Sequence, residues 1–116
     1  MANDSGNIIL DFLYFSVTLL SMNNTSVERD PKYFVFHTDP GHGWLEVTME
    51  EVKDVGLSLD SFTECSYRER NLLFLEEDCD APRFIEAYRA KYGKNSIRFC
   101  DKYSEDAFVR ELSYIR

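Results

Sequence analysis

The sequence predicts an α+β fold, a mostly antiparallel sheet with two or three helices packed on one face. Three observations point there. Aromatic and β-branched residues alternate with period two over Tyr33–Thr38 and again over Trp44–Thr48. Turn-forming residues, Asp39-Pro40-Gly41-His42, separate the two runs. A helical stripe of Phe84, Ile85, Tyr88 and Tyr92 begins behind Asp80 and Pro82 and stops at Gly93. Strands joined by short turns, followed by helices, are expected to segregate the helices to one side of the sheet.

In chain order, the first element is the apolar run Ile8 to Met22, IILDFLYFSVTLLSM. A spanning helix needs roughly twenty apolar residues; this run is shorter and Asp11 interrupts it, so no membrane association is expected. Met1 to Asn7 carries no positive charge, which also argues against an export signal. Its β-branched and aromatic residues favour a strand, while Leu13, Leu19 and Leu20 leave a helix open. Met22 offers an alternative start that would make residues 1–21 an extension. The expected organisation is an apolar segment and polar linker over 1–30 and a single α+β domain over 31–116.

Within that domain, Tyr33–Thr38 places Phe34 and Phe36 on one face and Tyr33, Val35 and His37 on the other. Pro40 and Gly41 suit a type II turn, with positive φ at the glycine. Trp44–Thr48 then returns antiparallel with Leu45 and Val47 inward. Thr48 and Glu51 have capping-box spacing for a short helix over 49–55, ended by Gly56. Phe62–Arg68 and Leu72–Glu76 read as a hairpin about Glu69-Arg70-Asn71, with Thr63, Cys65 and Tyr67 alternating. Asp80 is the expected N-cap of the main helix. Ser96–Cys100 reads as a further strand. Ser104 then caps a last helix on which Phe108, Leu112 and Ile115 share a face.

A chain of 116 residues, 44% hydrophobic and 15% aromatic, can bury one core without disulfides or metal. Its net charge of −8 argues against direct nucleic-acid binding, which needs a basic surface. The charge is uneven: residues 31–80 carry four basic and twelve acidic side chains, residues 81–116 eight basic and five acidic. The three cysteines, Cys65, Cys79 and Cys100, form no C-x-x-C, so reduced thiols and a cytoplasmic location are expected.

Two segments concentrate chemistry-bearing residues. His37-Thr38-Asp39-Pro40-Gly41-His42-Gly43-Trp44 holds both histidines. Two histidines at this spacing, with a carboxylate such as Asp39, Asp78 or Glu77, suit a divalent metal. Pro40, Gly41, Gly43 and Trp44 equally suit a hairpin with no ligand. Glu76-Glu77-Asp78-Cys79-Asp80 sets four carboxylates where a strand runs into a helix N-terminus, and the helix dipole accounts for part of that cluster. Glu77 and Asp78 are left to hold a cation or to accept Arg and Lys from a partner. The candidate partner-binding residues are therefore Asp39, His42, Trp44, Glu76, Glu77 and Asp78, and the candidate metal set is His37, His42 and Asp78. Cys79 has the position of an activated thiol, but Asp78 and Asp80 disfavour a thiolate there. No P-loop, G-x-G-x-x-G, G-x-S-x-G or H-E-x-x-H motif is present, and no residue is assigned a catalytic role.

HTDPGHGWLEV (His37–Val47) followed by LEEDCDA (Leu75–Ala81) resembles small uncharacterised proteins of bacteriophages and other mobile elements. The resemblance extends over Tyr33 to Arg116. It implies a context and no residue roles: small acidic phage proteins often bind and block a host protein, including defence nucleases with basic surfaces, in the host cytoplasm. The leading expectation is a non-enzymatic protein that binds a basic host surface through its acidic part, residues 39–80. One alternative is a small metal-dependent enzyme or metal-binding regulator. Another is a homo-oligomeric structural or virion-associated protein joined through Ile8 to Leu20.

Overall fold

The period-two alternation forms the strands it predicts, Lys32–Thr38 (β1) and Gly43–Thr48 (β2), paired antiparallel with Phe36 opposite Leu45 and His37 opposite Trp44. The computed structural model describes residues 30–115, together with two short segments, Ala2–Asn3 and Gly6–Ile8, that pair with each other. The expectations placed on the apolar run beyond Ile8, oligomerisation included, lie outside the described residues.

Thr48 begins helix α1, Met49–Asp54, through the expected capping box: its hydroxyl accepts from the Glu51 N–H, and the Glu51 carboxylate accepts from the Thr48 N–H. Gly56 follows at φ +83°, a left-handed conformation that glycine adopts without steric cost. Strands Tyr67–Glu69 (β3) and Leu72–Glu76 (β4) form the second hairpin, and helix α2 covers Ala81–Tyr92. Strand β5, Ile97–Tyr103, is longer than expected and lies parallel to β1. Strand β6, Ser113–Tyr114, pairs with β3.

The result is an α+β architecture with a mixed six-stranded sheet in the order β5-β1-β2-β4-β3-β6. All neighbours are antiparallel except β1 and β5. On one face, Phe34, Leu45, Val47, Leu73, Leu75 and Ile97 pack under Phe84, Tyr88 and Tyr92 of α2 and Val52 of α1. This is the main core. On the opposite face, Trp44, Tyr67 and Phe74 pack under Ala107 and Val109, with Leu72 and Leu112 alongside. Among the described residues, no helix is long and apolar enough to cross a membrane.

Four local expectations are corrected. The last helix is absent: after Ser104 come a single 3-10 turn, Phe108–Glu111, and then β6. Leu112 packs on the Trp44 side of the sheet whereas Ile115 joins the main core, so this chain passes round the sheet edge, a path no helix could take. The first strand of the second hairpin begins only at Tyr67, and residues 62–66 are irregular. Gly41 is not at positive φ. Instead of a type II turn, the Asp39 carboxylate accepts from the Gly41 and His42 N–H groups at 2.9 Å each. Asp80 stands at the N-cap of α2, yet its side chain makes no capping bond; it is spent elsewhere.

Candidate functional site

The cleft that gathers most of the chemistry-bearing residues lies on the Trp44 side of the sheet. Its volume is about 800 Å³, and it sits between the β1–β2 turn, the irregular segment before β3 and the turn before α2. Trp44, from β2, is 2% exposed and supplies an aromatic wall, with the Tyr67 ring 6.3 Å away at a steep angle. Tyr114, from β6, stacks on Tyr67 at 4.6 Å between centroids. Their hydroxyls are 3.3 Å apart, and this contact pushes the Tyr67 pKa up.

Arg110, from the 3-10 turn, lies over the Trp44 ring at 5.2 Å. Its guanidinium is held by Asp39 through two contacts, Nε to Oδ2 at 2.5 Å and Nη2 to Oδ1 at 3.2 Å. That pairing, with the two N–H donors of the turn, holds the Asp39 carboxyl far below the usual carboxylate range despite its burial. The same two side chains therefore close the β1–β2 turn and fasten the 104–112 strap across the sheet.

Glu76 ends β4 with its side chain largely buried. Burial alone would raise its pKa, but the N–H groups of Cys79 and Asp78, the Cys79 thiol and the His42 imidazole outweigh that and lower it. His42 Nδ1 is 3.4 Å from Glu76 Oε2. Glu64 and Asp78 line the cleft from exposed positions, as do Cys65 and Cys79. The lining thus carries three carboxylates against one guanidinium whose charge Asp39 already balances.

A buried polar hub positions this side of the molecule. Asp80, 1% exposed, accepts from the Thr63 N–H at 3.0 Å, from the Thr63 hydroxyl at 2.9 Å and from the Ser66 hydroxyl. Ser66 Oγ in turn accepts from the Glu76 N–H at 3.0 Å. The carboxylate expected to cap α2 thus ties the 62–66 segment to the turn before that helix.

Of the candidate partner-binding residues, His42, Trp44, Glu76 and Asp78 line this cleft, and Asp39 supports it from behind through Arg110. Glu77 does not join them. It lines a smaller groove on the helix side with Phe36, Ala81, Ile85 and Phe99. A Cβ on Gly43 would lie 2.6 Å from the Phe36 ring and 2.7 Å from the Glu77 carboxylate, so only glycine permits this close approach. His37 also lies apart: its Nε2 meets Glu46 Oε1 at 2.7 Å, and its ring packs against Phe74 and Phe108. The metal set His37, His42 and Asp78 is not assembled, and among the described residues no group of three His, Cys, Asp or Glu side chains is arranged to hold a metal ion.

Tyr67, Tyr114, Glu64, Cys65 and Arg110 are cleft residues that sequence reasoning does not single out. They enter from segments expected to be regular hairpin or helix, so no local pattern marks them. No family model, curated protein or solved structure matches this chain.

Proposed function

We propose that the chain is a non-enzymatic protein-binding module whose acidic, aromatic-walled cleft receives a basic side chain of a partner protein. The observation that carries this reading is the lining itself. Tyr114, 55% exposed, offers aromatic surface backed by the buried rings of Tyr67 and Trp44, Glu64, Glu76 and Asp78 offer negative charge, and the cation present is already matched by Asp39. Aromatic faces beside carboxylates suit a guanidinium or ammonium group, which gains both cation–π and charge-assisted contacts. The net negative charge of residues 31–80 extends the same preference beyond the cleft. A host nucleic-acid-binding or defence complex, whose surface would be basic, is the partner class that the proposal favours.

Trp44 is the single tryptophan and lines the cleft, so its emission reports occupancy directly. Short peptides with Arg or Lys at the centre should quench or shift that emission, and peptides with Glu at the same place should not. Joint charge reversal at the exposed residues Glu64 and Asp78 should weaken basic-peptide binding by at least about tenfold and flatten its salt dependence. Basic and acidic peptides binding alike, or an affinity that ignores the reversal, would count decisively against the proposal.

A further inference from the structure

We propose that Cys65 and Cys79 are a paired modification site on the rim of the cleft, converted to an intramolecular disulfide by low-molecular-weight disulfides. The two Sγ atoms are 3.2 Å apart, and both residues are exposed and free. Joining them requires the sulfurs to approach by only about 1 Å, within the reach of small side-chain rotations. The proximity is built into the fold. Thr63 and Ser66 flank Cys65, Asp80 follows Cys79, and the hydrogen bonds of the Asp80 hub fix the two segments against each other from the buried side.

The chemistry balances with oxidised glutathione as the reagent. The Cys79 thiol is pushed up to about 12 by its contacts with the Cys65 sulfur and with Glu76, so it stays protonated at neutral pH. First attack therefore falls to Cys65, whose thiolate displaces one glutathione thiolate and forms a mixed disulfide. Within the mixed disulfide, Cys79 gives its proton to solvent and the resulting thiolate attacks the Cys65 sulfur, which breaks the bond to glutathione and releases it as the second glutathione thiolate. Two protein thiols are oxidised and one disulfide is reduced. Cys100, on the edge strand β5 at the other end of the sheet, is an internal control.

The bond would tie the 62–66 segment covalently to the turn before α2 and set the separation of Glu64 and Asp78 across the cleft rim. The site stands apart from the identity of any partner, and its test reads mass and not binding. The full chain, reduced and then equilibrated with oxidised glutathione, is trapped with an alkylating reagent and mapped by mass spectrometry. The expected product carries a Cys65–Cys79 crosslink and modification of Cys100 alone. Cys65→Ser and Cys79→Ser should each abolish the crosslink, with Cys65 carrying a glutathione adduct in the Cys79→Ser variant, whereas Cys100→Ser should keep it. In denaturing urea, crosslinking at the same glutathione ratio should fall by at least about tenfold. The proposal is overturned by equal crosslinking in urea, by bonds through Cys100 or between chains, or by both rim thiols remaining separately modified.

Discussion

The two faces of the sheet are covered in different ways. On the helix face, Phe34 meets Phe84 and Tyr88 edge-on at 5.6 and 5.3 Å, and Leu45, Val52, Leu73, Leu75 and Phe84 are wholly buried. Dispersion and removal of apolar surface from water hold most of that face, and at its margin Lys91 of α2 pairs with Asp54 of α1 at 2.9 Å. The strap face is covered by a segment without a regular helix, fastened by the Asp39–Arg110 pair and by backbone bonds from Ser104 to Thr38 and from Ile115 to Ser66. Beneath it, the buried Trp44 Nε1–H has no acceptor among the described residues. One face thus carries the stability, and that surplus allows the other to hold desolvated polar groups around a cleft.

Cutting into the helix face is expected to have the largest effect. Phe84→Ala should destabilise the chain by about 3–5 kcal/mol in urea unfolding, while the folded-state emission of Trp44 on the other face stays unchanged. A shift in that folded baseline would show that the faces are coupled and would break the comparison. Asp80→Asn comes next. It keeps the volume but replaces an acceptor oxygen with a donor facing the Thr63 and Ser66 donors, at a cost of about 2 kcal/mol. Unlike the Phe84 variant, it should also slow Cys65–Cys79 crosslinking, because the hub positions both thiols.

The same division explains what was legible in the sequence. Periodic apolar patterns encode the helix face, and β1, β2, α1 and α2 all formed as their spacing predicts, with Leu45 and Val47 inward and the Thr48–Glu51 box intact. The strap face depends on contacts between residues far apart in sequence, such as Asp39 with Arg110 and Tyr67 with Tyr114. Phe108, Leu112 and Ile115 have helical spacing, but β6 pairing with β3 and burial of Val109 against the sheet prevail over it. His42, Trp44, Glu76 and Asp78 were recognisable as a candidate set because each sits in a short, unusual motif. Glu77 and His37 shared those motifs and went elsewhere: Glu77 follows the end of β4 and lines the helix-side groove, while His37, on the same face as Trp44, is held by Glu46 and packs against Phe74 and Phe108.

Loosening the strap should produce a smaller effect on stability and a larger one on the cleft. The Arg110 side chain is 41% exposed, so solvent screens its pairing with Asp39, and Arg110→Gln is expected to lower Tm only slightly. The variant also removes the cation above the Trp44 ring and leaves Asp39 unneutralised behind the cleft. Trp44 emission should shift in the folded state, and affinity for an Arg-containing peptide should rise as the competing guanidinium disappears. A large fall in Tm would mean that the strap, and not α2, anchors the fold.

The smallest expected effect is a pH dependence confined to the strap face, and its sign follows from Asp39. Arg110 and the turn N–H groups hold its folded pKa far below the ordinary carboxylate value, whereas in the unfolded chain it titrates near about 4. Its stabilisation is therefore complete above the unfolded value and is lost as pH falls through that value towards the folded one. Glu76, also lowered, adds a second acid-labile contribution. Thermal unfolding of the wild type should accordingly weaken on acidification below about pH 5, and Asp39→Asn should show a shallower decline while keeping the part due to Glu76. Arg110→Gln should flatten the curve in the same window, because it removes the group that depresses Asp39. Combining the two substitutions should add nothing further, since they break one pair. An undiminished acid slope in both single variants would move the acid sensitivity off the strap face altogether.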